Sequence, residues 1–228
     1  MKIKNQITAN GANLPRRLFL RYAGAGAASV GLLAVDACHK DHKVVPFTGI
    51  DVGQGDSGLF NFTYAIKQVE AAFYSQVILT PYTGMTGDEL TLLTAIRDQE
   101  ILHCSFLKAT LGSKAIIALT PDFSSIDFTN RLTVLFAAKN LEDTGVSAHC
   151  GSGYLIKNPV YLTLAAKILS VEGRHAAVIG NLLQNGFFAS TVGSNGLNTN
   201  LSVADTLIVI NKYLKNKVSA VSFNYVLT

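Results

Sequence analysis

The chain has 228 residues, 49% of them apolar and 15% charged, which supplies a sizeable core and excludes a disordered polyelectrolyte. Its formal charge is +4, but five of its 19 basic residues (Lys2, Lys4, Arg16, Arg17 and Arg21) precede Cys38, against one of its 15 acidic residues, Asp36. The remainder carries 14 of each and is formally neutral, which gives no electrostatic footing for nucleic acid.

In chain order the first element is a targeting segment, residues 1–37. Pro15-Arg16-Arg17-Leu18-Phe19-Leu20-Arg21 resembles the twin-arginine export signature, with Pro15 where Ser or Thr is usual. The uncharged, small-residue-rich run from Tyr22 to Val35 follows the arginines. It is shorter than the roughly 20 apolar residues that span a bilayer. Cys38, directly after Val35-Asp36-Ala37, resembles a lipoprotein acceptor, and cleavage after Ala37 by an ordinary signal peptidase is the alternative. Either way the protein is expected to be exported, either free in the periplasm or tethered to a membrane facing it. Residues 38–55 mix charge, Pro and Gly without periodicity and read as a linker.

Four helices are predicted next. The first runs from about Asp56 to Leu79 with Phe62, Ile66, Phe73 and Val77 on one face. The second runs from about Asp88 to Leu111, with Leu93, Ile96 and Leu107, and stops at Gly112. The third is expected from about Asp127 to Ala148, with Phe128, Leu132 and Leu135. The fourth runs from about Asn158 to Leu183, with Leu164, Ile168, Ile179 and Leu182 and with Pro159 near its start. The first and second, and the third and fourth, are joined by short links and should form antiparallel hairpins. The link from Ser113 to Ile126 is longer and, extended, reaches about 45 Å, enough to cross the length of the bundle. The expected fold is therefore all-α: residues 56–185 form an antiparallel four-helix bundle with one long crossover. In the C-terminal extension, residues 186–228, a Gly/Asn/Ser-rich loop precedes a short helix capped by Ser202, and Val218 to Leu227 is expected to be extended.

The chain has only five glutamates, and four fall within these apolar stripes. Glu70 lies between Ile66 and Phe73, and Glu100 between Ile96 and Leu107. Glu142 follows Leu135 by two turns, and Glu172 lies between Ile168 and Ile179. Buried carboxylates without partners cost several kcal/mol, so four converging in one core need cations. Glu100-Ile101-Leu102-His103 and Glu172-Gly173-Arg174-His175 are both Glu-x-x-His, whose ends share a helix face. Glu70 precedes Glu100 by 30 residues and Glu142 precedes Glu172 by 30, so each half repeats a lone Glu, a turn and then Glu-x-x-His. This is the ligand set of di-iron and di-manganese carboxylate bundles. The candidate metal ligands are Glu70, Glu100, His103, Glu142, Glu172 and His175.

The stretches Leu59-Phe60-Asn61-Phe62, Val69-Glu70-Ala71-Ala72-Phe73-Tyr74, Glu100-Ile101-Leu102-His103, Leu141-Glu142-Asp143-Thr144-Gly145-Val146 and Val171-Glu172-Gly173-Arg174-His175-Ala176 resemble the ferritin-like domain family, in the branch that includes desiccation-related proteins. The resemblance implies the bundle and two bound ions, Fe or Mn with Fe favoured. It implies that Glu100 and Glu172 bridge them, that Glu70 and Glu142 are terminal, and that His103 and His175 bind one each. The implied chemistry is that of a di-metal oxidoreductase, ferroxidase- or catalase-like, acting on peroxide, or on O2 and Fe(II). The alternative is a non-catalytic stress- or desiccation-related envelope protein that uses the bundle as a scaffold.

Three neighbours carry further expectations. His149, seven residues after Glu142, is either a helix-end histidine or an extra ligand or proton relay. Tyr74, one turn from Glu70, either packs in the core or hydrogen-bonds the site. Cys104 and Cys150 should lie too far apart for a disulfide and remain free.

Overall fold

The computed structural model describes residues 49–184 and 187–223. The expected targeting segment, Cys38, most of the expected linker and residues 224–228 lie outside the described residues.

The architecture is all-α. The four long helices are α1 (Gly55–Leu79), α2 (Gly87–Leu111), α3 (Arg131–Ser152) and α4 (Pro159–Leu183). A short helix α5 (Val203–Ile210) follows. α1 packs chiefly on α2 and α3 on α4, and α1 also lies against α3. Among the described residues no helix is long and apolar enough to cross a membrane.

Three of the four long helices, α2, α3 and α4, start at a side-chain cap that satisfies free N–H groups. α2 opens on a reciprocal capping box: Glu89 N donates to Thr86 Oγ1 and Thr86 N to Glu89 Oε2, both at 3.1 Å. Asn158 Oδ1 accepts from Val160 N at the start of α4, with Pro159 in the first turn. α3 begins four residues later than its sequence pattern predicts. Asp127 closes its own turn, accepting from Thr129 N at 2.9 Å, and Asn130 caps the helix by accepting from Leu132 N at 2.9 Å.

The crossover between α2 and α3 is sewn onto α1 by polar side chains. Asn61 donates to Lys114 O (2.8 Å) and accepts from Ile116 N (2.9 Å), and Gln68 accepts from Leu119 N (2.8 Å). One helix heptad apart, they hold the crossover along the bundle while Ile116, Leu119, Phe123 and Ile126 face the core. The bundle is closed at each end by a charged group. At one end Asp56 of α1 accepts from Lys157 N and Asn158 N before α4. At the other, Arg131 of α3 donates to Glu89 of α2 at 2.6 and 2.9 Å.

The extension is better ordered than its composition suggests. Ser202 caps α5, accepting from Asp205 N at 3.1 Å, as its sequence predicts. The strands β1 (Ile50–Asp51) and β2 (Val218–Ser219) pair in parallel, Ile50 opposite Val218. Residues 50–51 of the expected linker are thus strand, and the expected extended stretch is a strand of two residues among those described. The loop before α5 lies directly on helix backbone. A Cβ on Gly151 would meet Leu201 O at 2.0 Å, and one on Gly180 would meet Phe187 O at 2.3 Å.

Candidate metal centre

The four helices each deliver one glutamate to the same level of the core: Glu70 from α1, Glu100 from α2, Glu142 from α3 and Glu172 from α4. All four are 0% exposed. His103 and His175, one turn beyond Glu100 and Glu172, point into the same space, and their ring centroids are 6.4 Å apart. Among the described residues three groups could hold a metal ion: Glu100, His103 and Glu172; Glu100, Glu142 and His175; and Glu70, Glu142 and Glu172. In each the donor atoms lie within 4.8 Å of one another. The six residues singled out by spacing are therefore brought together.

Several of these donors have no hydrogen-bond partner although buried: Glu70 Oε1, Glu100 Oε1, Glu142 Oε2, Glu172 Oε1 and His175 Nδ1. His175 Nε2 lies 2.9 Å from Gln99 Oε1. That carbonyl requires Nε2–H, which leaves the Nδ1 lone pair facing Glu100 Oε1 at 2.8 Å and Glu142 Oε2 at 3.7 Å. A lone pair set among carboxylate oxygens is stable only around a cation or a proton. His103 Nδ1 lies 3.4 Å from both Glu100 Oε2 and Glu172 Oε1. Tyr74 is packed in the core, and its OH also donates to Glu142 Oε1 at 2.7 Å, so both expectations for it hold.

One group in the cluster is not foreshadowed by the glutamate and histidine spacing. Lys67, one turn before Glu70 and 0% exposed, places its ammonium among the carboxylates. It pairs with Glu70, with Glu172 and, at 3.1 Å, with Glu100. Burial opposes its charge, but Glu100, Glu172, Glu70 and Glu142 outweigh that and hold its pKa well above the ordinary lysine value.

The carboxylates divide under this field. Burial raises the pKa of Glu70 well above the usual range, against the pull of Lys67 and with the push of Glu172 and Glu100. Burial and the charges of Glu100 and Glu172 do the same to Glu142. For Glu100 burial is overcome by Lys67 and by the neighbouring His103, and its pKa falls well below the usual range. Glu172 is lowered as well, with Lys67 overcoming burial. His103 is disfavoured as a cation by burial, yet Glu100 and Glu172 push its pKa up to about 9.

A family model for the ferritin-like domain matches residues 55–185, more than half of the chain. The chain belongs to the ferritin-like domain family. No curated protein matches it.

Within this ferritin-like bundle the donor set suits a metal. Carboxylate oxygens with imidazole nitrogens could hold a metal ion, and the unpartnered buried atoms are ones a cation would satisfy. Gly145 of α3 leaves the needed room, since a Cβ there would lie 2.9 Å from Glu70 Oε1 and 3.0 Å from Glu172 Oε2.

His149 is not part of the three groups. It is buried, its Nδ1 lies 2.8 Å from Gly145 O, and burial lowers its pKa. Cys104 and Cys150 are free thiols, as their separation in sequence and height predicts. Burial, with Glu100 nearby, pushes the Cys104 thiol up to about 12, so it is not a reactive thiolate.

A sequence signal for Lys67 does exist. Lys67-Gln68-Val69-Glu70 and Lys139-Asn140-Leu141-Glu142 both place a lysine three residues before the lone glutamate. The repeated half-motif is therefore Lys-x-x-Glu followed by Glu-x-x-His.

Proposed function

We propose that the buried cluster is a carboxylate–histidine centre for Fe or Mn, held by Glu70, Glu100, His103, Glu142, Glu172 and His175, in an exported redox protein. The observation that carries this reading is the convergence of unpartnered, fully buried donor atoms from four helices on one point. When bound, Fe or Mn supplies one-electron redox change toward O2 or peroxide.

The chain's own part is to hold donors and exclude water. Gln99 fixes His175 with Nδ1 turned inward. Tyr74 holds the Glu142 carboxylate by its Oε1, leaving Oε2 unpartnered, and is near enough to exchange a proton with it. Complete burial of the four glutamates keeps bulk water from competing for their oxygens. Substrates admitted to such a site are small, of the size of O2 or peroxide. The twin-arginine-type segment and Cys38 support export and a lipid tether.

The test is metal analysis of protein purified without chelators, beside a Glu100→Ala, Glu172→Ala double variant. Fe or Mn should accompany the wild type and be lost from the variant. Wild-type protein without metal after anaerobic reconstitution would sink the reading. A second reading, a non-catalytic envelope scaffold of the desiccation-related kind, is favoured by Lys67, which supplies the cluster with a cation of its own. Stress tolerance that survives in the double variant would select it.

A further inference from the structure

We propose that the Lys67 ammonium occupies one of the two cation positions of the cluster, so that the centre loads a single divalent ion, on Glu100, Glu142 and His175. The inference rests on the metal-centre reading above and fixes its stoichiometry. Two-ion occupancy, as the family resemblance implies, would place one ion on Glu70, on His103 and on the bridging carboxylates of Glu100 and Glu172.

Three of those four donors already have one oxygen engaged: Lys67 Nζ sits on the Oε2 atoms of Glu70, Glu100 and Glu172. Glu70 Oε1 and Glu172 Oε1 are unpartnered, but a divalent ion bound there would share its carboxylates with a positive charge already in contact with them. The other half of the cluster is free for an ion. Glu100 Oε1, Glu142 Oε2 and His175 Nδ1 are buried without hydrogen bonds and lie within one ion's reach of one another, and Lys67 makes no ion pair with Oε1 of Glu100 or with Glu142.

Lys67 also lacks a second place to go. Its counterpart Lys139 pairs with Asp143, four residues on, and lies over the Phe187 ring at 5.1 Å. The residue four after Lys67 is Ala71, which offers an ammonium nothing. Full burial of Lys67 closes the remaining route to water.

The experiment is anaerobic loading of the full chain with excess Mn(II), removal of unbound metal, and counting of ions per chain by mass spectrometry with the electron paramagnetic resonance spectrum of the same sample. Wild type is expected to hold one ion and give the hyperfine pattern of an isolated Mn(II). Lys67→Met is expected to hold two, with the spectrum of an exchange-coupled pair. Glu70→Gln should keep one ion, because its carboxylate serves Lys67, whereas His175→Ala should keep none. Two ions in the wild type overturn the inference and leave the metal centre standing. One ion in both wild type and a folded Lys67→Met also overturns it. No ion in any folded form overturns the metal centre and the inference together. Should Lys67→Met fail to fold, the wild-type count, its spectrum and the Glu70→Gln count decide the question.

Discussion

The two hairpins of the bundle carry the same half-motif, yet they use it differently. In the α1–α2 half, Lys67 turns inward and joins the carboxylates. In the α3–α4 half, Lys139 pairs instead with Asp143 and lies, still buried, over the Phe187 ring. The surrounding positions differ in step. Ala71 stands where Asp143 does, Phe73 where Gly145 does, and Gln99 where Val171 does. Gly145 empties a space beside Glu70 and Glu172, two of the three carboxylates paired with Lys67. Gln99 orients His175, whereas the side chain of Val171 has no hydrogen bond to give His103. A repeat that is symmetric in its ligands is thus asymmetric in the groups that hold them. One half supplies an internal cation, whereas unpartnered donors come from both.

The sharpest way to break this comparison is to remove each lysine from metal-free protein. Lys67→Met strips the ammonium from four buried carboxylates and should cost about 3–5 kcal/mol in chemical denaturation, the scale for orphaning a buried ion pair. Lys139→Met should cost about 1 kcal/mol, because its partner Asp143 is 23% exposed. Equal losses would mean that the two lysines are equivalent. Next comes Tyr74→Phe, which leaves Glu142 Oε1 buried without its donor. A loss of about 1–3 kcal/mol is expected, with a weakened hold on Mn(II) in titration calorimetry. An unchanged affinity would show that the phenol does not position Glu142.

The two halves are also joined by the ion pair of Glu89 and Arg131, and that link should appear in the acid limb. Burial would raise the Glu89 pKa, but Arg131 and the Thr86 N–H overcome it, and the folded value is lowered from 4.5. A depressed carboxylate contributes stability that is complete above its unfolded pKa and lost as pH falls through the folded one. Melting temperature followed downward from pH 6 should therefore fall less steeply in Arg131→Met than in the wild type, with a difference of about 1 kcal/mol at neutral pH. Parallel curves would remove the pair from the account. The smallest effect expected is that of Gly145→Ala. Its Cβ presses on two carboxylate ends that can shift by a few tenths of an ångström, while the helix gains about 1 kcal/mol of propensity. Metal-free stability should change little and metal affinity should drop, as read by calorimetry.

Much of this was legible in the residues. Period and loop length give the four helices and the crossover. The 30-residue interval between lone and paired glutamates gives the six donors. The start of α3 was less so, because Asp127 and Asn130 are both good caps and only the fold shows that Asp127 spends its carboxylate on its own turn. β1 and β2 are two residues each, and their pairing joins positions 168 residues apart, beyond any local pattern. Lys67 was the main omission. Lysine is seldom fully buried, and its inward turn depends on carboxylates from two other helices and on Ala71 offering no alternative. The repeated Lys-x-x-Glu marks the position in both halves, but the direction of each lysine is settled by its neighbours.

The most direct test is a crystal structure of Mn(II)-loaded wild-type protein with anomalous scattering measured at the manganese edge. The account predicts one anomalous peak, among Glu100, Glu142 and His175, with the Lys67 ammonium still in contact with Glu70 and Glu172. Two peaks, with Lys67 displaced from the cluster, would contradict it.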